Sequence, residues 1–163
     1  MEVHGLIHQL PKEIKTVIFV FIITLSIGFY GGLSFVNNTT SMQPNGVESN
    51  YLGNENDEEA EIMKFKKSER EILTIVHNHI LSMSVIFFLL SILLSTTSIN
   101  KKLKYFLMVE PFLSVILTFG GIYFLWSGHL WVKYVIIFSG MLMTISFVLA
   151  TVSILYQLLF SKS

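Results

Sequence analysis

Hydrophobic residues in this chain fall into four long runs separated by polar stretches: Val17–Val36, Leu73–Ser95, Tyr105–Trp126 and Val132–Phe160. A bilayer's hydrocarbon core is roughly 30 Å thick, and a helix crosses it in about 20 mostly apolar residues. Each run meets that length. Lipid offers the backbone no hydrogen-bond partner, so each run is expected to be a helix rather than a strand. The fold class that follows is all-α: an integral membrane four-helix bundle in up-down order.

The polar intervals differ in character. Residues 1–16 form an N-terminal segment, 96–104 a short basic turn, 127–131 a short loop and 161–163 a tail. The interval 37–72 is much longer and has two parts. Residues 37–56 are rich in Asn, Ser, Thr and Gly and include Pro44 and Gly46, which predicts a mobile stretch. From Asp57 the acids of DEEAE suit a helix N-terminus, and Ile62, Phe65, Ile72 and Val76 recur at helical spacing. Residues 57–72 are therefore expected to be an amphipathic helix. It either continues into the second span or breaks near Ser68 and lies on the membrane surface. Asn37 and Asn38 each open an N-x-Thr triplet, which matters only in a glycosylating host.

Lysine placement gives an expected orientation. Lys12 and Lys15 precede the first run, Lys101, Lys102 and Lys104 crowd the 96–104 turn, and Lys162 follows the fourth run. With an even number of spans all three groups share one face, which puts both termini in the cytoplasm and 37–72 outside. Lys133 is on the outer side, and Lys64, Lys66, Lys67 and Arg70 sit among acids in the long loop. The first run ends in Asn37, Asn38, Thr39 and Thr40 with no pair of small residues at cleavage spacing, so it reads as a retained anchor. The long first loop and the very short third one argue against an internal two-fold repeat.

Composition narrows the function classes. Of 163 residues, 52% are hydrophobic and 13% charged, which is unlike a plain soluble enzyme. Eleven basic and eleven acidic side chains cancel, so no global field attracts nucleic acid. The chain has no cysteine, which removes disulfides, thiolate nucleophiles and thiolate metal sites. HExxH, GxSxG and Walker sequences are absent, and the span serines lack a neighbouring base, so enzymatic activity is not expected.

Plotted at 100° per residue, each span carries one stripe of small or polar residues. The first has Thr24, Gly28, Gly31 and Phe35, with Gly28 and Gly32 as a GxxxG pair; the second has His77, Ser84, Ser91 and Ser95. The third has Glu110, Ser114 and Gly121 with Thr118 at the edge, and the fourth Ser139, Ser146, Ala150, Ser153 and Gln157. Membrane helices associate through such residues, so the four stripes are expected to converge in close packing.

Two sets exceed what packing requires. His77, on the inward stripe, is the first candidate ligand for a metal ion or haem near the outer surface. His79, with Met83 one turn on, and His129 in the SGHLWVK turn are its candidate partners. Haem b and copper are the cofactors this set could serve. The competing reading makes these interfacial histidines beside Trp126 and Trp131. The second set is Glu110, an ionisable residue inside a span and followed by Pro111. It suits either a proton-accepting site or a structural carboxyl beside a kink. The two sets are separated by about 14 residues of helix, roughly 21 Å, too far for one catalytic centre.

An HNH triplet at the start of one span, with an acid before proline in the next, is similar to small bacterial inner-membrane proteins; no function is carried over from that similarity. Three functions remain open: a haem- or metal-binding module, an accessory subunit of a larger membrane complex, and a small proton or ion conductor using Glu110. Expected partners are the lipid bilayer and another membrane protein or a second copy of the chain.

Overall fold

The computed structural model describes residues 5–55 and 62–160, which are helical apart from short connections. A 3-10 turn, Leu6–Gln9, precedes α1 (Lys12–Thr40) and α2 (Pro44–Leu52). The chain continues through α3 (Glu69–Ser95) and α4 (Lys101–Val115), which a π turn at Ile116–Gly120 joins to α5 (Gly121–Trp126); α6 (Val132–Phe160) follows. Among the described residues, four helices are long and apolar enough to cross a membrane: α1, α3, the continuous α4–α5 rod and α6.

The core lies between α3, the α4–α5 rod and α6. Phe87, Leu90 and Leu94 of α3 meet Leu107 and Val115 of α4 and Met143, Phe147, Ala150 and Ile154 of α6. The close approach of α5 to α6 depends on Gly121, where a Cβ would sit 2.9 Å from Ile136 Cγ1 and 3.3 Å from Val132 Cγ1. Helix α1 joins this core through Ile18 and Ile22, and Phe29 stacks on Phe147 with ring centroids 3.8 Å apart.

Polar contacts close both ends. At one end, the Ile7 N–H donates to the Thr96 carbonyl at 3.2 Å, Lys15 Nζ to the His8 carbonyl at 2.8 Å, and the Ser98 N–H to Gln157 Oε1 at 2.7 Å. Lys104 Nζ donates to the Ser95 carbonyl at 3.1 Å and to the Thr97 carbonyl. At the other end, Lys133 pairs with Glu48 at 2.6 Å, and the Trp126 indole donates to the Lys67 carbonyl at 2.8 Å.

Four expectations need correction. First, the stretch expected to be mobile at 37–56 is largely helical over its described part, 37–55. Helix α1 continues to Thr40, and Pro44 at the first turn starts α2, whose Val47 is buried against Ile72, Ile122, Leu125, Val132 and Ile136. Gly46 lets α2 approach the end of α1, since a Cβ there would lie 1.8 Å from the Thr40 carbonyl oxygen. Second, the proposed 57–72 helix is not continuous. Residues 57–61 lie outside the described residues, 62–68 run without helix, and Ile62 and Phe65 are exposed while Ile72 is buried. A local signal decides the boundary: Ser68 and Glu71 form a capping box that satisfies free N–H groups and begins α3 at Glu69.

Third, the stripe of α1 does not converge with the others. Gly28, Gly31 and Gly32 are exposed, with nothing within 4 Å of a Cβ at any of them. The contact side of α1 is instead the aliphatic face with Ile18 and Ile22, where larger side chains interlock with the core. Fourth, His77 is exposed rather than inward, because α3 buries the face carrying Ile72, Phe87, Leu90, Ser91 and Leu94.

The two glycine environments give opposite expectations. Gly121→Val should destabilise the purified protein by about 1–3 kcal/mol through overpacking. Gly28→Val should cost little, because open space surrounds it. Thermal unfolding in detergent compares them, and equal losses would show that α1 packs differently from this description.

Candidate functional site

The polar centre of the protein is built on the α4–α6 contact. Glu110, one residue before Pro111, is 7% exposed. Ser114, one turn further along α4, donates its hydroxyl to Glu110 Oε1, and Ser146 of α6 donates to Oε2. The carboxyl group therefore bridges two spans, with one hydroxyl on each oxygen.

Pro111 contributes no N–H to the helix and crowds the carbonyl four residues back. The rod continues past it, and at Ile116–Gly120 it widens into a π turn. A wider turn advances fewer degrees per residue, which swings Thr118 back from the edge of the stripe toward α6. Thr118 and Ser139 hydroxyls meet there at 2.7 Å. Ser139 also donates to the Val135 carbonyl at 2.7 Å, which leaves Thr118 as donor in the pair. Ser91 of α3 adds a third connection by donating to the Met108 carbonyl at 3.1 Å. Gly121, Ser139, Ser146 and Ala150 are buried as well, and Ser84 is half-buried. Among the described residues, no buried side-chain nitrogen or oxygen lacks a hydrogen-bond partner.

The histidines are arranged differently. His77 lies in a shallow, open depression on α3 with Glu69, Arg70, Leu73 and Thr74. His79 directs Nδ1 to the Ile75 carbonyl at 2.8 Å, so that nitrogen carries the proton, and its ring stacks on Phe119 at 4.6 Å. His129 contacts the Ser127 hydroxyl at 3.3 Å and stands edge-on to Phe124. Met83 packs against the apolar core cluster instead of serving as a free thioether beside His79. Among the described residues, no group of three or more His, Cys, Asp or Glu side chains converges as a metal site.

A third arrangement was missed by periodicity. Residues 62–68 form a strap against the Trp126 end of the helices. Asn54 holds it at both edges, accepting from the Lys64 N–H at 2.6 Å and donating to the Ile62 carbonyl at 3.0 Å. The Lys67 N–H donates to the Tyr51 carbonyl at 3.1 Å, and burial pushes the Tyr51 phenol up from its ordinary value. Lys66 Nζ sits 5.0 Å above the Trp126 ring. Gly53, at φ 85°, makes the turn into the strap possible; a Cβ there would be 2.8 Å from the Lys66 nitrogen. The S-x-x-E spacing of Ser68 and Glu71 was the sequence signal for where the strap ends.

The Glu110 bridge has a measurable signature. Ser146→Ala strands one carboxyl oxygen in a dry site and should cost about 1–3 kcal/mol. Combining it with Glu110→Leu removes the stranded group, so the double variant should lose less than the sum of the two single losses. Unfolding in mixed micelles measures the cycle, and additive losses would rule out the bridge.

In comparison with known families, the model of a transmembrane helical domain, Aq_1264_TM, matches residues 41–163. The match begins one residue past the end of α1. Neither the curated proteins nor the solved structures yield a match.

Proposed function

The chain belongs to that transmembrane helical family and is an integral membrane protein, and from this premise we propose that it is a non-catalytic accessory subunit of a larger membrane complex. The observation carrying this reading is the open Gly28, Gly31 and Gly32 face of α1. Glycine within a helix costs about 0.5–1 kcal/mol relative to alanine. Close backbone approach to a neighbouring helix is what offsets that cost in lipid. Gly121 gains such an approach within the chain, against Ile136 and Val132, and the α1 glycines do not. Helix α1 also lies outside the segment matched by the family model. The occupant proposed for its glycine face is a helix of another membrane protein.

The remaining helices form the bundle that carries α1. We place them in up-down order in a bacterial inner membrane, with both termini in the cytoplasm and loop 37–72 outside. Lys12, Lys15, Lys101, Lys102 and Lys104 near one end support this side, since lysine and arginine favour cytoplasmic loops.

Proton movement through Glu110 is the second reading, supported by an intramembrane carboxyl with Ser114 and Ser146 on it and the Thr118–Ser139 pair further along the same contact. The haem or copper reading has less support, because His77, His79 and His129 do not form a convergent ligand group with acids or one another among the described residues.

Photocrosslinking from Phe35, exposed on α1 and on the same stripe as Gly28 and Gly31, tests the accessory role in native membranes. The expected product is an adduct with a different protein, lost in Gly32→Ile. No adduct, or only a dimer of the chain, would overturn the reading. Proteoliposomes should hold a proton gradient; a leak abolished by Glu110→Gln would put conduction in its place.

A further inference from the structure

We propose that the strap at residues 62–66 is a lipid-binding element, seated at the boundary between phospholipid headgroups and acyl chains. Its chemistry is amphipathic without being helical. Ile62, Met63 and Phe65 are 70%, 59% and 68% exposed, three large apolar side chains within four residues. None of them joins either core cluster. They are nevertheless held in place, since Asn54 bonds Ile62 and Lys64, Tyr51 bonds Lys67, and the Trp126 indole bonds the Lys67 carbonyl.

Three observations select lipid as the occupant. The strap is tied to Trp126, the last residue of the spanning α4–α5 rod, which places it where the rod leaves the hydrocarbon core. Tryptophan favours that level because its ring is apolar and its N–H polar. Met42, Leu130, Trp131 and Leu73, near the helix termini at the same end, are exposed large apolar side chains as well. Finally, lysines alternate with the apolar positions. Lys64 reaches the Thr39 carbonyl at 2.7 Å and Lys66 lies over Trp126, so the charges are drawn toward the protein while Ile62, Met63 and Phe65 point away from it. Long basic side chains at this depth keep their ammonium groups among polar atoms and leave the apolar side chains to the acyl region. This inference depends on membrane spanning and is independent of what α1 binds.

The absence of native cysteine makes a direct test available. Single cysteines at Ile62 and Phe65, with Glu55 and Phe138 as exposed references, are labelled with nitroxide in the full chain and reconstituted in phosphatidylcholine–phosphatidylglycerol vesicles. Power saturation compares accessibility to oxygen, which partitions into acyl chains, with accessibility to a water-soluble nickel chelate. The ratio at positions 62 and 65 is expected to be several-fold above that at 55 and closer to that at 138. A ratio equal to that at 55 would place the strap in water and overturn the proposal. Low accessibility to both agents would show a protein cover and overturn it equally. Because the label is itself apolar, the Phe65→Asp variant labelled at Ile62 supplies a second reading: its ratio should fall toward that at 55, and an unchanged ratio would mean that Phe65 does not anchor the strap.

Discussion

A carboxyl group buried between two membrane helices must be hydrogen-bonded, and the packing of this protein is arranged around that requirement. Leaving a polar group unpaired in a dry site costs about 1–3 kcal/mol by mutational measures, more for a charged one. Ser114 and Ser146 cover the two oxygens of Glu110, one from α4 and one from α6. Neither helix can slide by a turn without stranding the group, so the bridge sets their register. With that register, Thr118 meets Ser139 and Gly121 meets Ile136. The π turn belongs to the same constraint, because a regular helix would leave Thr118 at the edge of the stripe.

Helix α1 follows a different rule. It adheres through Ile18, Ile22 and the Phe29–Phe147 stack, contacts that depend on shape and can be made at several rotations of a helix. Among the described residues, no side-chain hydrogen bond joins it to another span in the way that Glu110 joins α4 to α6. Lipid tails are as apolar as these side chains, so such contacts gain little from the hydrophobic effect and depend on packing alone. The family match covers the helices that Glu110 organises and stops short of α1.

The spans were legible because hydropathy acts over about 20 residues and lipid allows little else. Small-residue stripes were legible on α4 and α6, where Glu110, Ser114, Ser139, Ser146 and Ala150 are all buried. Periodicity failed where a single residue outweighed an average. One buried valine, Val47, makes α2 worth forming in a stretch whose composition resembles a loop. One serine, Ser68, begins α3 and leaves Ile62 and Phe65 outside the helix whose face they seemed to share. His77 was misplaced for a related reason: the serine stripe of α3 predicted its inner face well at Ser91, but not fourteen residues away, where the helix packs by Ile72 instead. A wheel assumes one direction of burial along the whole helix, and a helix that meets different neighbours at its two ends has more than one.

The same logic explains why the two ends of the molecule are closed with different chemistry. At the Lys104 end, chain reversals are tight, and the donors are an ammonium and backbone amides aimed at helix-terminal carbonyls such as Ser95 and Thr96. Carbonyls at helix C-termini carry partial negative charge, which makes lysine an effective cap there. The Trp126 end has a long connection to fold back, and its closure is built from side chains that suit a boundary: an indole N–H, the Lys133–Glu48 pair and a lysine over an aromatic ring. A short reversal can be finished by the helices themselves. A long one needs its own small core, which Val47 and Ile72 provide, and beside that core the strap at 62–66, tied by Asn54, presents Ile62, Met63 and Phe65 outward.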